Sequence, residues 1–143
     1  MEQMSAQIKT QLEESLEEGC RMWEAFGCPH PEITKDFRVA ETAAAACRQE
    51  AFRADYAAAC QCFYLFRRLH RLVEDSPQTA TLLGDYFFSR FSVHLIPIDS
   101  PRLIDRFSEY LKTDTRKEAA GAEAFDLTQY LAFITEAAKE IGS

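Results

Sequence analysis

Few side chains in this sequence are spaced as catalytic or metal-binding groups usually are. Cys28-Pro29-His30 and Cys60-Gln61-Cys62 are the closest to metal half-sites. Two ligands one residue apart on a helix point in different directions, so Cys60 and Cys62 would chelate poorly and read better as buried thiols. His94, near a helix end, reads as a packing or capping residue in preference to a general base. Arg67, Arg68 and Arg71 on one stretch could meet a diphosphate, but such a run is more often a solvated or ion-paired face. Glycine-rich phosphate loops and a Gly-x-Ser-x-Gly elbow are missing from the sequence. No metal and no cofactor is expected in the chain.

The elements that must position these groups are helices. From about residue 2 to 26, Met4, Ile8, Leu12, Leu16, Trp23 and Phe26 recur mostly every three or four residues, with Glu13, Glu14, Glu17 and Glu18 opposite. Pro29 and Pro31 end that helix. Thr34 to Asp75 is almost all helix former, rich in alanine that permits close helix approach. A bend near Arg53–Asp55 is expected to divide it in two. Ser76-Pro77 and Ser100-Pro101 each read as an N-cap followed by a first-turn proline. They open helices over about 77–95 and from about 101, the second weakened at Gly121. Asp126 is expected to cap a last helix holding Leu127, Tyr130, Leu131, Ile134 and Ile141. With no sustained period-two alternation, the expectation is one all-α domain over 1–143, a bundle of about six helices.

Three segments within 69–134, taken in order, resemble the all-trans polyprenyl diphosphate synthases. Leu69-His70-Arg71-Leu72-Val73-Glu74-Asp75 is similar to that family's Leu-His-Asp-Asp-x-x-Asp helix. Leu82-Leu83-Gly84-Asp85-Tyr86-Phe87-Phe88-Ser89-Arg90-Phe91 resembles its Gly-Asp-Tyr helix, and Asp126 to Ile134 resembles its later Tyr-Leu helix. The resemblance implies the N-terminal half of the prenyl synthase fold.

Departures from the family pattern carry the functional expectation. Where the family's aspartates ligate Mg²⁺ and screen the diphosphate leaving group, this sequence has Arg71 and Leu72, with only Asp75 left. Leucine cannot ligate a hard cation and arginine repels one. The arginine-bearing loop between the two helices is expected to be deleted, Ala137 stands where the family has lysine, and the chain stops before a second aspartate-rich motif. The pattern looks like the small, non-catalytic subunit (component I) of a heterodimeric hexaprenyl or heptaprenyl diphosphate synthase. That resemblance implies pairing with a catalytic large subunit, which would hold the Mg²⁺, and a part in setting the length of quinone side chains.

It also implies site residues. The helix matching the family's subunit interface carries Leu82, Leu83, Tyr86, Phe87, Arg90 and Phe91. Its neighbours Phe87 and Phe88 diverge by about 100°, so the apolar arc is wide enough to be covered on two sides. Phe63 and Phe66 match the wall that limits the growing isoprenoid, although ordinary core packing explains them too. The rivals are a stand-alone helical interaction module and a small metal-binding protein using Cys28, His30 or Cys60. An apolar face built for a related partner could also pair with itself as a homodimer.

Composition sets the outer bounds. The 143 residues carry 16 basic and 23 acidic side chains, a net charge of −7, which argues against nucleic acid or an anionic membrane as partner. No stretch approaches the roughly 18 apolar residues of a membrane span, and the acidic start lacks the pattern of a signal peptide. Five cysteines, an odd number, read as reduced thiols of a cytoplasmic protein.

Overall fold

The computed structural model describes residues 5–27, 31–72, 77–121 and 125–142, without the side-chain surroundings of 31, 32, 70–72 and 77–80. Six α-helices follow one another, with no strand among the described residues. Helix α1 (Ala6–Ala25) is capped by Ser5, whose hydroxyl accepts from the Ile8 N–H at 3.2 Å. A 3-10 turn (Pro31–Lys35) leads to α2 (Arg38–Ala46) and α3 (Glu50–Leu72). Helices α4 (Pro77–Leu95), α5 (Pro101–Ala119) and α6 (Leu127–Ala137) follow, and a short 3-10 turn (Ala138–Glu140) carries the chain beyond α6.

Two of the expected caps form. Ser100 Oγ accepts from the Leu103 N–H at 3.2 Å with Pro101 in the first turn, and the Asp126 carboxylate accepts from the Gln129 N–H at 3.0 Å. Each satisfies an amide that the helix itself leaves without a partner. Ser76 lies outside the described residues. The expected bend at Arg53–Asp55 does not occur, because α3 runs straight through it. The break falls instead at Cys47–Gln49, where Cys47 turns extended and Arg53 Nε donates to the Cys47 carbonyl at 3.2 Å. Arg48, Gln49 and Glu50 are all good helix formers, so propensity alone would have carried the helix through this corner.

Packing explains the corner. Ala40, Ala43 and Ala44 of α2 are buried, and α2 lies close against both α3 and α6. Gln61 ties the middle of α3 to the start of α2, accepting from the Ala40 N–H at 3.3 Å and donating to the Asp36 carbonyl at 2.9 Å. Helices α3 and α4 form the most extensively packed pair. Phe63 sits at the centre of the core, its ring 5.1 Å from Phe91, 5.2 Å from Phe107 and 5.8 Å from Tyr130. Offset and edge-on rings at these distances are favourable beyond the apolar area they bury.

Three adjacent four-residue stripes of α4 determine what it can touch. Leu83, Phe87, Phe91 and Leu95 form the buried stripe. Tyr86, Arg90 and His94 lie on the flank toward α1. Phe88, Ser92 and the following Ile96 line the flank toward α5. The α1 flank closes tightly because Gly19 has no side chain. A Cβ there would stand 2.6 Å from the Tyr86 ring and 2.7 Å from that of Phe87.

Candidate functional site

The degenerate aspartate motif of Arg71, Leu72 and Asp75 lies outside the described side chains, as do Cys28 and His30. The remaining residues singled out by sequence can be placed. Of the solvated or ion-paired face expected for Arg67, the ion-paired alternative holds, but buried: Nε lies 2.7 Å from Asp114 and Nη2 3.2 Å from Glu118, both on α5. Its neighbour Arg68 lies over the Tyr64 ring, 5.8 Å from the centroid. Cys60 and Cys62 are fully buried, and burial pushes the Cys62 thiol up to about 12 despite the nearby Arg90. Cys60 is raised well above the usual thiol range for the same reason. Both therefore remain protonated, and a protonated thiol is a poor ligand and nucleophile. Among the described residues no group of three or more His, Cys, Asp or Glu side chains is placed to hold a metal ion.

The six residues expected to form one partner face separate. Leu83 and Phe87 are 0% exposed and Phe91 5%, so these three are spent on the chain's own core. Tyr86 and Arg90 are engaged by α1. Only Leu82 projects outward, at 53% exposure. Helix α4 thus has apolar side chains both buried and exposed, and the width of its arc alone does not distinguish them. Which of them face the bundle depends on where α1 and α5 pack.

The outward apolar side lies along α5. Phe88, Ile96 and Ile104 rim a groove of about 410 Å³ whose floor is Phe91, Phe107 and Phe63. Ile96 is 73% exposed, and Phe88 and Ile104 are also open to solvent. Phe66 stands behind the rim, its ring 5.0 Å from that of Phe88. Phe63 lies in the floor of this concavity, whereas Phe66 does not line it and reaches it only through its packing on Phe88.

A second arrangement escaped the sequence reading entirely. Ser15 of α1, Asp55 of α3 and His94 of α4 meet in a line: Ser15 Oγ is 2.8 Å from His94 Nε2, and His94 Nδ1 is 3.0 Å from Asp55 Oδ1. Arg90 Nη2 donates to Ser15 Oγ at 2.8 Å, and the Tyr86 hydroxyl donates to the Ser15 carbonyl at 3.0 Å. A carboxylate can only accept, so in the neutral imidazole the proton sits on Nδ1 toward Asp55 and Nε2 accepts from Ser15. Helical geometry builds this line. Tyr86, Arg90 and His94 repeat every four residues, as do Ser15 and Gly19 opposite them, and the close approach at Gly19 sets the register. His94 thus bridges three helices and does not cap one. The four-residue spacing of Tyr86, Arg90 and His94 was the available signal, but nothing local pairs it with Ser15 or Asp55.

Compared with family models, with curated proteins and with solved structures, the chain matches none. What the fold itself defines, among the described residues, is an all-α bundle with an open apolar groove and a hydrogen-bonded polar seam on opposite flanks of α4.

Proposed function

We propose that this chain is a non-catalytic subunit that pairs with a catalytic trans-polyprenyl diphosphate synthase in the cytoplasm and helps set the length of its product. The observation that carries the reading is the apolar flank of α4, the helix bearing Gly84-Asp85-Tyr86. Among the described residues no side chain fills the groove rimmed by Phe88, Ile96 and Ile104. Contiguous exposed apolar surface of this kind marks partner or ligand contact more often than plain surface. Further support comes from the ordered but altered motif set, in which Arg71 and Leu72 replace metal-ligating aspartates. In this reading the Mg²⁺ and both aspartate motifs belong to the partner, and Phe63 and Phe66 sit beneath the surface that borders the partner's product tunnel.

Co-expression with candidate large subunits tests it. The expected result is co-elution, together with restored condensation of isopentenyl and allylic diphosphates in the presence of Mg²⁺. Phe88→Asp combined with Ile104→Asp should abolish both while leaving the isolated chain folded. Condensation by this chain alone would sink the non-catalytic reading. Unchanged pairing of the double variant would move the interface elsewhere.

A further inference from the structure

We propose that Ser15, His94, Asp55 and Arg90 form a nucleophilic serine site that takes acyl groups from small esters, an activity separate from any prenyl synthase partnership. The arrangement has the components that hydroxyl activation requires: a nucleophile within hydrogen-bond reach of a base, and a base oriented by a third group. Ser15 Oγ is 2.8 Å from His94 Nε2, and Asp55 holds His94 Nδ1 at 3.0 Å. None of the three is sealed off. Ser15 is partly exposed, and the His94 and Asp55 side chains retain 14% and 31% of their surface.

Arg90 supplies the second, independent observation. Its Nη2 donates to Ser15 Oγ, while its Nε is buried without any hydrogen-bond partner. Nε–H and Nη2–H lie along one edge of the guanidinium, so the edge that meets the serine carries a donor with nothing to bind. A buried donor left open is costly unless something else uses it. An oxygen on a carbon attached to Ser15 Oγ would come within reach of that edge, where a fixed cation stabilises developing negative charge. A cleft of about 570 Å³ between Ile8 and Gln11 of α1 and Arg53 to Asp55 of α3 reaches the line at Asp55. Gln11 is one helical turn before Ser15 and shares its face.

The reaction balances without a further reagent. Ser15 Oγ attacks the ester carbonyl, forming the Oγ–C bond, as His94 Nε2 takes the hydroxyl proton. The carbon–alkoxide bond then breaks, and the leaving alcohol carries that proton away. Water attacks the acyl-serine with its proton passing to His94, and Ser15 regains a proton as the carboxylic acid departs. In this scheme Asp55 is a positioning residue that holds the imidazole tautomer.

The test is reaction of the full chain with a fluorophosphonate, which serines of this kind attack with loss of fluoride. Intact mass and peptide mapping are expected to show a single adduct on Ser15, and 4-nitrophenyl acetate should be turned over. Ser15→Ala should abolish the adduct. His94→Gln should slow labelling about 100-fold, in line with the loss of a general base. Circular dichroism confirms that each variant is folded, and the mapped adduct on the unsubstituted chain stands whatever the variants do. Absence of an adduct, an adduct on another residue, or labelling of His94→Gln at the original rate would each overturn the proposal. None of these results depends on a synthase partner, so the two proposals fail separately.

Discussion

The two flanks of α4 differ in what the chain sets against them. Toward α1, Tyr86, Arg90 and His94 meet partners at 2.8–3.0 Å, and Gly19 removes the side chain that would hold the helices apart. Toward α5, Phe88 and Ile96 face a groove that no side chain of the described residues fills. Polar matching on the first flank fixes one register, since a shifted helix would strand buried donors. The apolar flank has no such directional demand and tolerates any cover of suitable shape. One helix can therefore be locked on one side and available on the other.

Substitutions across the three stripes break this comparison most directly. Phe87→Ala, on the stripe between the flanks, should cost about 3–5 kcal/mol in urea unfolding, the usual cost of emptying a fully buried phenylalanine site. A loss below about 1 kcal/mol would mean that the buried stripe is misassigned. Gly19→Val should cost about 1–3 kcal/mol through overpacking against the Tyr86 and Phe87 rings, and should part Ser15 from Arg90 and His94. Solvent exchange of the His94 ring protons, followed by NMR, checks that separation.

Alkaline titration sharpens the contrast between the dry core and the seam. In the folded chain burial raises Cys60, Cys62, Tyr56 and Tyr130, with Cys62 reaching about 12 from an ordinary 9.0. The unfolded chain releases the Cys62 proton near pH 9 and the folded chain retains it to about 12. Between those values the unfolded state binds fewer protons, so stability falls as pH rises, by about 1.4 kcal/mol per pH unit for each such group. Denaturant midpoints should hold level up to pH 9 and then decline steadily. A flat profile to pH 11 would show that these groups are not sealed. The smallest effect is expected on the open flank, where Phe88→Asp should cost about 1 kcal/mol through its lost ring contacts with Phe66 and Phe91. A loss several times larger would mean that the groove rim is part of the core.

Ser100, Pro101, Asp126 and the spacing of Leu127, Tyr130 and Ile134 predict their helices correctly because caps and periodicity act over one or two turns. The bounds expected for α4, 77–95, agree with the structure for the same reason. The corner at Cys47–Gln49 was not legible, since Arg48, Gln49 and Glu50 favour a helix and only the packing of α2 against α3 and α6 turns the chain there. Whether Arg67 is solvated or ion-paired stayed open in the sequence because its carboxylate partners lie 47 and 51 residues downstream.

The candidate sites divide in the same way. From the sequence, α4 is apolar on more than one side, and Phe63 and Phe66 stand near a conspicuous motif. Only the tertiary structure decided that Leu83, Phe87 and Phe91 face inward while Phe88, Ile96 and Ile104 border the groove. It alone brought Ser15 to His94 across 79 residues and His94 to Asp55 across 39. Local spacing determines which side chains share a helix face, because that depends on a few bonds of one segment. Which face meets which depends on how whole helices pack, and that is an energy no single segment contains.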